Sequence, residues 1–232
     1  MNINKHKFFM LQILKDIFSD IELSNYLGFK GGTALMFFHK LPRFSVDLDF
    51  DLLDSEKEDL VFFKLRNILQ KYGSIDDEAK KFFGLILVLD YSKGERKLKM
   101  EVSNRPFDNH YELLNYNGIN MRVLSISDMF AHKLCAMLDR REIANRDIFD
   151  CWFFLENRTP INKTIVESRM NTSLEEYIQQ CITYLENQPN KSLLNGLGEL
   201  MDEKMKSFVR NKLKNELIIL LKVFKEFPII VK

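Results

Sequence analysis

The chain has 232 residues, 46% of them hydrophobic and 12% aromatic with twenty Phe, which excludes global disorder and suits one domain plus a smaller second. Its 34 basic and 33 acidic residues leave a net charge of +1, so any contact with nucleic acid must come from a local patch. Cys135, Cys151 and Cys181, an odd number without paired spacing, fit reduced thiols of the cytoplasm and neither a disulfide framework nor a zinc site.

Residues 5–18 place Phe8, Leu11, Leu14 and Phe18 at helical spacing, which predicts an opening amphipathic helix with no signal-peptide core. Gly31 and Gly32 then break the chain before the short helical run TALMFFHKL, which Pro42 ends. Residues 46–53 read as a strand with Leu48, Phe50 and Leu52 on one face, and a helix over 59–72 closes near Gly73. The continuous apolar run FFGLILVLDY at 82–91 predicts a buried strand. It should pair through a turn at 92–95 with 96–104, where Leu98, Met100 and Val102 alternate against Lys97, Lys99, Glu101 and Ser103. Asn117 and Gly118 mark another hairpin before INMRVL.

From Ser125 the pattern turns helical. Ser127 is placed to cap a helix over 129–140, a second helix follows at 145–156, and the remainder carries no strand signal. The apolar tail ELIILLKVFKEFPIIV is cut by Lys222, Lys225 and Glu226, so it predicts no membrane span. The expectation is a soluble cytoplasmic α+β protein: a mixed-sheet core with flanking helices over 1–124, then a helical bundle over 125–232.

Within the strand at 46–53, residues two apart share a face, so Asp47, Asp49 and Asp51 project together. Hard divalent cations take oxygen ligands and keep substrate phosphates in their shell, so an Asp-x-Asp pair with a third acid can hold metal for phosphoryl chemistry. Glu101, on the polar face of its own strand, is the natural third member. An EF-hand reading of Asp47, Asp49, Asp51 and Glu58 fails, because its sixth position needs glycine and has Leu52. A plain solvated strand face stays open on the triplet alone. Gly31 and Gly32 add specificity: followed by Thr33 and a short helix, they offer backbone amides and a helix N-terminus to a phosphate.

The stretch KGGTAL, a histidine, and RFSVDLDF resembles the AbiEii/AbiGii-type nucleotidyltransferases, toxins with a polymerase-β-like core from abortive-infection and toxin–antitoxin systems. A second block, AHKLCAMLDRREIANRDIFDCWFFL, is similar to that family's downstream motif, so the resemblance covers Lys30 to about Leu155. It implies a nucleotidyltransferase-like sheet, Mg²⁺ or Mn²⁺ on Asp47 and Asp49, to which the strand pattern adds Glu101, and transfer of NMP from an NTP to a hydroxyl of a tRNA 3′ end or a protein. A cognate antitoxin is implied as partner, and no membrane. Gly31, Gly32, Thr33, Arg43, Ser45, Lys133 and Arg146 would hold the nucleotide, and Lys133, Asp147 and Asp150 would join the catalytic set. The family's basic residue four after the lysine is Met137 here, with Arg140 and Arg141 later.

The second block also has a reading of its own. Arg146 and Asp150 are four apart on a helix, and Lys133 and Arg140 share a face of the preceding one. A lysine can clamp triphosphate, but RDIFD also fits a salt-bridge set that holds helices together. His39 reads as a helix-end histidine, and Trp152, Phe153 and Phe154 as core. The alternative function is a nucleotide- or partner-binding module whose catalysis has decayed. The intact Asp-x-Asp argues against it, and Met137 is its only support.

Overall fold

In a computed structural model, residues 1–139, 144–189 and 193–231 are described. They form two compact units: Met1–Lys40 with Ser45–Leu124, and Leu41–Phe44 with Ser125–Lys232.

The first unit is built on a seven-stranded mixed sheet: β1 (Leu27–Lys30), β2 (Leu48–Leu52), β3 (Ser74–Lys81), β4 (Gly84–Asp90), β5 (Leu98–Ser103), β6 (Tyr111–Tyr116) and β7 (Ile119–Leu124). Their spatial order is β3-β4-β5-β2-β1-β7-β6. The β2–β5 and β1–β7 pairs are parallel, and the others antiparallel. The hairpins expected at 92–95 and at Asn117–Gly118 are both present; Asn117 and Gly118 adopt φ of 50° and 82°, the two left-handed positions that a type I′ turn requires.

Helix α1 (Ile3–Ser19) buries His6, Met10, Ile13, Leu14 and Ile17, a stripe at i, i+4, i+7, i+8 and i+11 that faces β7 and helix α4 (Glu58–Gln70). A one-turn-and-a-half helix, α2 (Ile21–Tyr26), is capped by the Asp20 carboxylate, and α3 (Gly31–Phe38) packs on β1, β2 and β6. Leu48 and Phe50 on β2, with Leu98, Met100 and Val102 on β5, put one face of the sheet into a core that excludes water almost completely.

Two strands were not predicted. β1 has four residues, too few for a periodic signal, and gains its state by pairing with both β2 and β7. β3, SIDDEAKK, carries five charged residues in eight and lies at the sheet edge, where β4 supplies its hydrogen bonds on one side and charge discourages further pairing.

The second unit is helical: α5 (Ile126–Asp139), α6 (Asn145–Glu156), α7 (Lys163–Met170), α8 (Leu174–Asn187), α9 (Glu203–Asn211) and α10 (Leu213–Glu226). The α6 bounds are those expected from sequence. At the start of α5 the expectation shifts: the hydroxyl that accepts an early amide is Ser125, from Asp128 N–H at 3.3 Å, rather than Ser127. A full capping box, Ser173 with Glu176, opens α8. Phe130 stacks on Phe154 at 4.9 Å and Trp152 lies 4.6 Å from Phe208, so the aromatic run of α6 is core, as expected. Cys135, Cys151 and Cys181 are buried free thiols, all pushed up by burial. No described helix is long and apolar enough to cross a membrane.

Candidate active site

The register of the sheet unit decides which acids meet. Asp49 of β2 stands directly opposite Glu101 of β5, and on its other side opposite Lys30 of β1. Asp47 lies just before β2, half-buried, outside the ladder of backbone hydrogen bonds. Lys99, two residues before Glu101 on the same strand face, donates to the Glu101 carboxylate at 2.6 Å. Burial alone would pull the Lys99 amine down, but this hydrogen bond and the charges of Glu101, Asp47 and Asp49 outweigh it and hold it above its ordinary value. A single ammonium therefore reports all three expected carboxylates within Coulombic reach.

Asp51 shares the face of Asp49 but is 4% exposed and committed elsewhere. It accepts from Lys30 at 2.5 Å, from Tyr111 Oη at 2.8 Å and from Asn109 Nδ2 at 3.1 Å. That set is an internal anchor between β1, β2 and the start of β6.

The glycine turn lies against these acids. Gly31 has φ of +80°, and a Cβ there would run into the Asp49 carboxylate. Its neighbour Lys30 is the N-cap of α3 and makes no side-chain capping bond of its own. Thr33 is fully buried, and its hydroxyl donates to the backbone oxygen of Asp47 at 2.5 Å. Ser45 is buried two residues before Asp47. Gly31, Gly32 and Thr33 thus hold the Asp47–Asp49 segment from one side while setting the N-terminus of α3 beside it, the arrangement that suits a phosphate.

Three oxygen-donor acids beside a phosphate-type turn fit a hard divalent cation in chemistry. Among the described residues, no three of His, Cys, Asp or Glu converge closely enough to make a ready cage. A cation here would complete its shell with phosphate oxygens and water, as Mg²⁺ does.

The remaining expected residues lie in the helical unit, in a different setting. Arg43 is 5% exposed and makes a bidentate pair with Asp150, Nε to Oδ1 and Nη2 to Oδ2, both at 2.7 Å. The Lys133 ammonium bridges Asp147 and Asp150, each at 2.7 Å. Burial would push the Asp150 carboxyl up, yet the charges and hydrogen bonds of Arg43 and Lys133 hold it at about 2. Arg146 sits half-buried in the first turn of α6. Arg140 and Arg141 lie outside the described residues. His39 is the C-cap of α3, as its position before Pro42 suggested.

Comparison with known proteins adds a family. The one described as nucleotidyl transferase AbiEii toxin, type IV TA system, matches residues 12–217. The chain belongs to this family. Among solved structures it is similar to JHP933 from Helicobacter pylori, at 22% identity over 97% of this chain and 92% of that one, with a TM-score of 0.60. A candidate nucleotidyltransferase of H. pylori is similar at 22% identity over 96% and 94%, with a TM-score of 0.62. These likenesses establish a shared fold. No curated protein matches significantly.

For an AbiEii chain the Asp-x-Asp strand and the glycine turn carry strong sequence signals, whereas Lys99 was legible only as a member of a polar strand face. His6, which contacts the segment before Asp47, and its partner Tyr91 carried no signal at all. The Gly31 turn gives a sharp test. Gly31→Ala forces a strained φ and displaces the Asp49 carboxylate, so it is expected to cost about 1–3 kcal/mol in urea unfolding. It should also lower any nucleotide transfer more than tenfold. An alanine variant of unchanged stability and activity would show that Asp49 tolerates being moved.

Proposed function

We propose that this AbiEii protein is a metal-dependent nucleotidyltransferase that moves NMP from an NTP to an acceptor hydroxyl, acting as the toxin of a pair with a cognate antitoxin. The observation that carries the reading is the register of β2 with β5: Asp49 faces Glu101, and both act with Asp47 on one ammonium, Lys99.

In this reading the amides at the start of α3, presented by Gly31 and Gly32, receive a phosphate of the NTP. Asp47, Asp49 and Glu101 would hold Mg²⁺, which when bound neutralises phosphate charge and favours ionisation of a hydroxyl. The acceptor oxygen forms a bond to the α-phosphorus as the bond to the bridging oxygen breaks, and pyrophosphate leaves with the electron pair. The hydroxyl proton passes to a carboxylate of the cluster. Glu101 suits this role, because it lies opposite Asp49 and 46% of its side chain is exposed to an arriving acceptor. Lys99 would also offset the charge that gathers on the phosphates.

We assign Arg43, Lys133, Asp147 and Asp150 first to structure: each cation already has carboxylate partners in a buried cluster that ties the 41–44 segment, α5 and α6 together. The acceptor, a tRNA 3′ end or a protein hydroxyl, stays as the family implies, and so do the cytoplasm and the antitoxin.

The test is direct. Each of the four α-³²P-labelled NTPs is incubated with the protein, Mg²⁺ and total tRNA, with and without EDTA. Label is expected to pass to RNA or to protein with at least one NTP, and EDTA should abolish it. Transfer that survives EDTA would overturn the metal reading. NTP binding without transfer to any acceptor would leave a binding module.

A further inference from the structure

Asp47 stands outside the β2 ladder, so its carboxylate needs some other device to stay in place. The sheet begins at Leu48, yet both peptide planes that flank the Asp47 α-carbon are gripped by side chains. Thr33 donates to the Asp47 carbonyl oxygen, which fixes the following plane. On the preceding plane, the Val46 carbonyl oxygen lies 2.8 Å from His6 Nε2. A carbonyl can only accept, so Nε2 carries a proton, and in the neutral ring that burial favours Nδ1 is left as an acceptor. Nδ1 lies 2.7 Å from the Tyr91 hydroxyl, which must therefore donate to it. One tautomer satisfies the contact at each ring nitrogen.

We propose that His6, oriented by Tyr91, is a positioning residue for the Asp47 carboxylate, a proposal that rests on Asp47 serving the nucleotide site. With its two flanking planes fixed, the φ and ψ of Asp47 are fixed, and so is the direction of its Cα–Cβ bond. The imidazole is fully buried on α1, and its ring meets the Tyr91 ring edge-on at 5.5 Å. Phe9, on the same helix, also packs against Tyr91, with ring centroids 4.5 Å apart. The arrangement parallels a metal ligand steered from behind by hydrogen-bonded partners, with the backbone in place of the ligand's own side chain. A buried carbonyl that merely needed satisfying would account for His6 alone. Tyr91 satisfies the second buried ring nitrogen and in doing so dictates which nitrogen donates.

The experiment uses the full chain, with Tyr91→Phe and His6→Gln beside Asp47→Asn. Mn²⁺ alone is titrated by calorimetry, transfer kinetics are measured where an NTP is accepted, and urea unfolding is followed in parallel. Tyr91→Phe keeps the ring but frees the tautomer, so Mn²⁺ binding is expected to weaken about tenfold and kcat to fall by a similar factor. KM for NTP should stay within about twofold, because the phosphate turn is untouched. His6→Gln can still donate to the Val46 oxygen and should recover most of the affinity. In the wild type, ¹⁵N spectra of His6 should show the Nε2–H tautomer.

A folded Tyr91→Phe protein with wild-type Mn²⁺ affinity and kcat, and only a lowered unfolding midpoint, would overturn the proposal. So would an Nδ1–H tautomer in the wild type, whether or not either variant folds. Should Asp47→Asn bind Mn²⁺ and transfer NMP like the wild type, the underlying reading of the nucleotide site fails instead, whatever Tyr91→Phe does.

Discussion

Asp49→Asn is expected to stop nucleotide transfer while leaving the chain folded. The amide keeps the size of the carboxylate and removes its charge, so β2 and the Gly31 contact should persist. A divalent cation, however, loses the donor that stands between Glu101 and the glycine turn. A drop on the order of 10³ in kcat/KM, about 4 kcal/mol of barrier, fits the loss of one preorganised electrostatic group at a transferring phosphate. Stability should change by less than about 1 kcal/mol, because the repulsion removed from Asp47 and Glu101 is offset by attraction lost from Lys99. Initial rates with the preferred NTP and a urea melt check the two halves. Full activity in Asp49→Asn would remove the acid cluster from the chemistry.

The second large effect is on stability and lies in the helical unit. Asp150→Asn leaves two buried cations, Arg43 and Lys133, facing a neutral amide where a carboxylate accepted from both. Breaking a buried pair from one side costs about 3–5 kcal/mol, a large part of the 5–15 kcal/mol that holds a typical domain. The urea midpoint should fall accordingly, and an unchanged midpoint would refute a structural role for the cluster. Acid should mimic the mutation. The folded carboxyl is held at about 2, below the ordinary aspartate value near 3.9, so its contribution is complete above roughly pH 5. It is lost as pH falls from there toward 2, and Asp150→Asn should flatten that part of the profile. Lys133→Ala tests the family role: lost transfer in a folded protein would show a nucleotide contact, and lost stability with unchanged transfer a purely structural one.

What sequence could reveal follows from where the information sits. Asp47, Asp49 and the Leu48/Phe50 alternation are local, and a period of two announces them. Glu101 could be assigned a face from Leu98, Met100 and Val102, but its neighbour across the sheet depended on strand order, which local pattern does not encode. Lys99 obeyed the same alternation and was passed over because lysines on polar faces are common. The strand β3 was missed because a charged segment at an edge owes its state to β4. His6 and Tyr91 are 85 residues apart and meet only in the folded chain, where His6 also reaches the Val46 carbonyl. The cluster of Arg43 with Asp150 spans 107 residues, and from sequence each half looked like part of a ligand site.

The exchange of residues 41–44 has a consequence for anyone who would take this protein apart. The chain leaves the sheet unit after Lys40, lends four residues to the helical unit, and returns at Ser45. Within that loan Arg43 grips Asp150, and the Phe44 amide donates to the Leu200 carbonyl at 2.8 Å. No single cut therefore yields two whole pieces. A fragment that begins at Ser125 keeps Asp150 but loses its guanidinium, and one that ends at Leu124 keeps an arginine whose carboxylate is gone. Dissection by truncation would report instability in both halves and say little about either. A cleavage at 124/125 with both fragments kept in one tube keeps Arg43 and Asp150 available to each other, and reassociation would then be read as recovered folding.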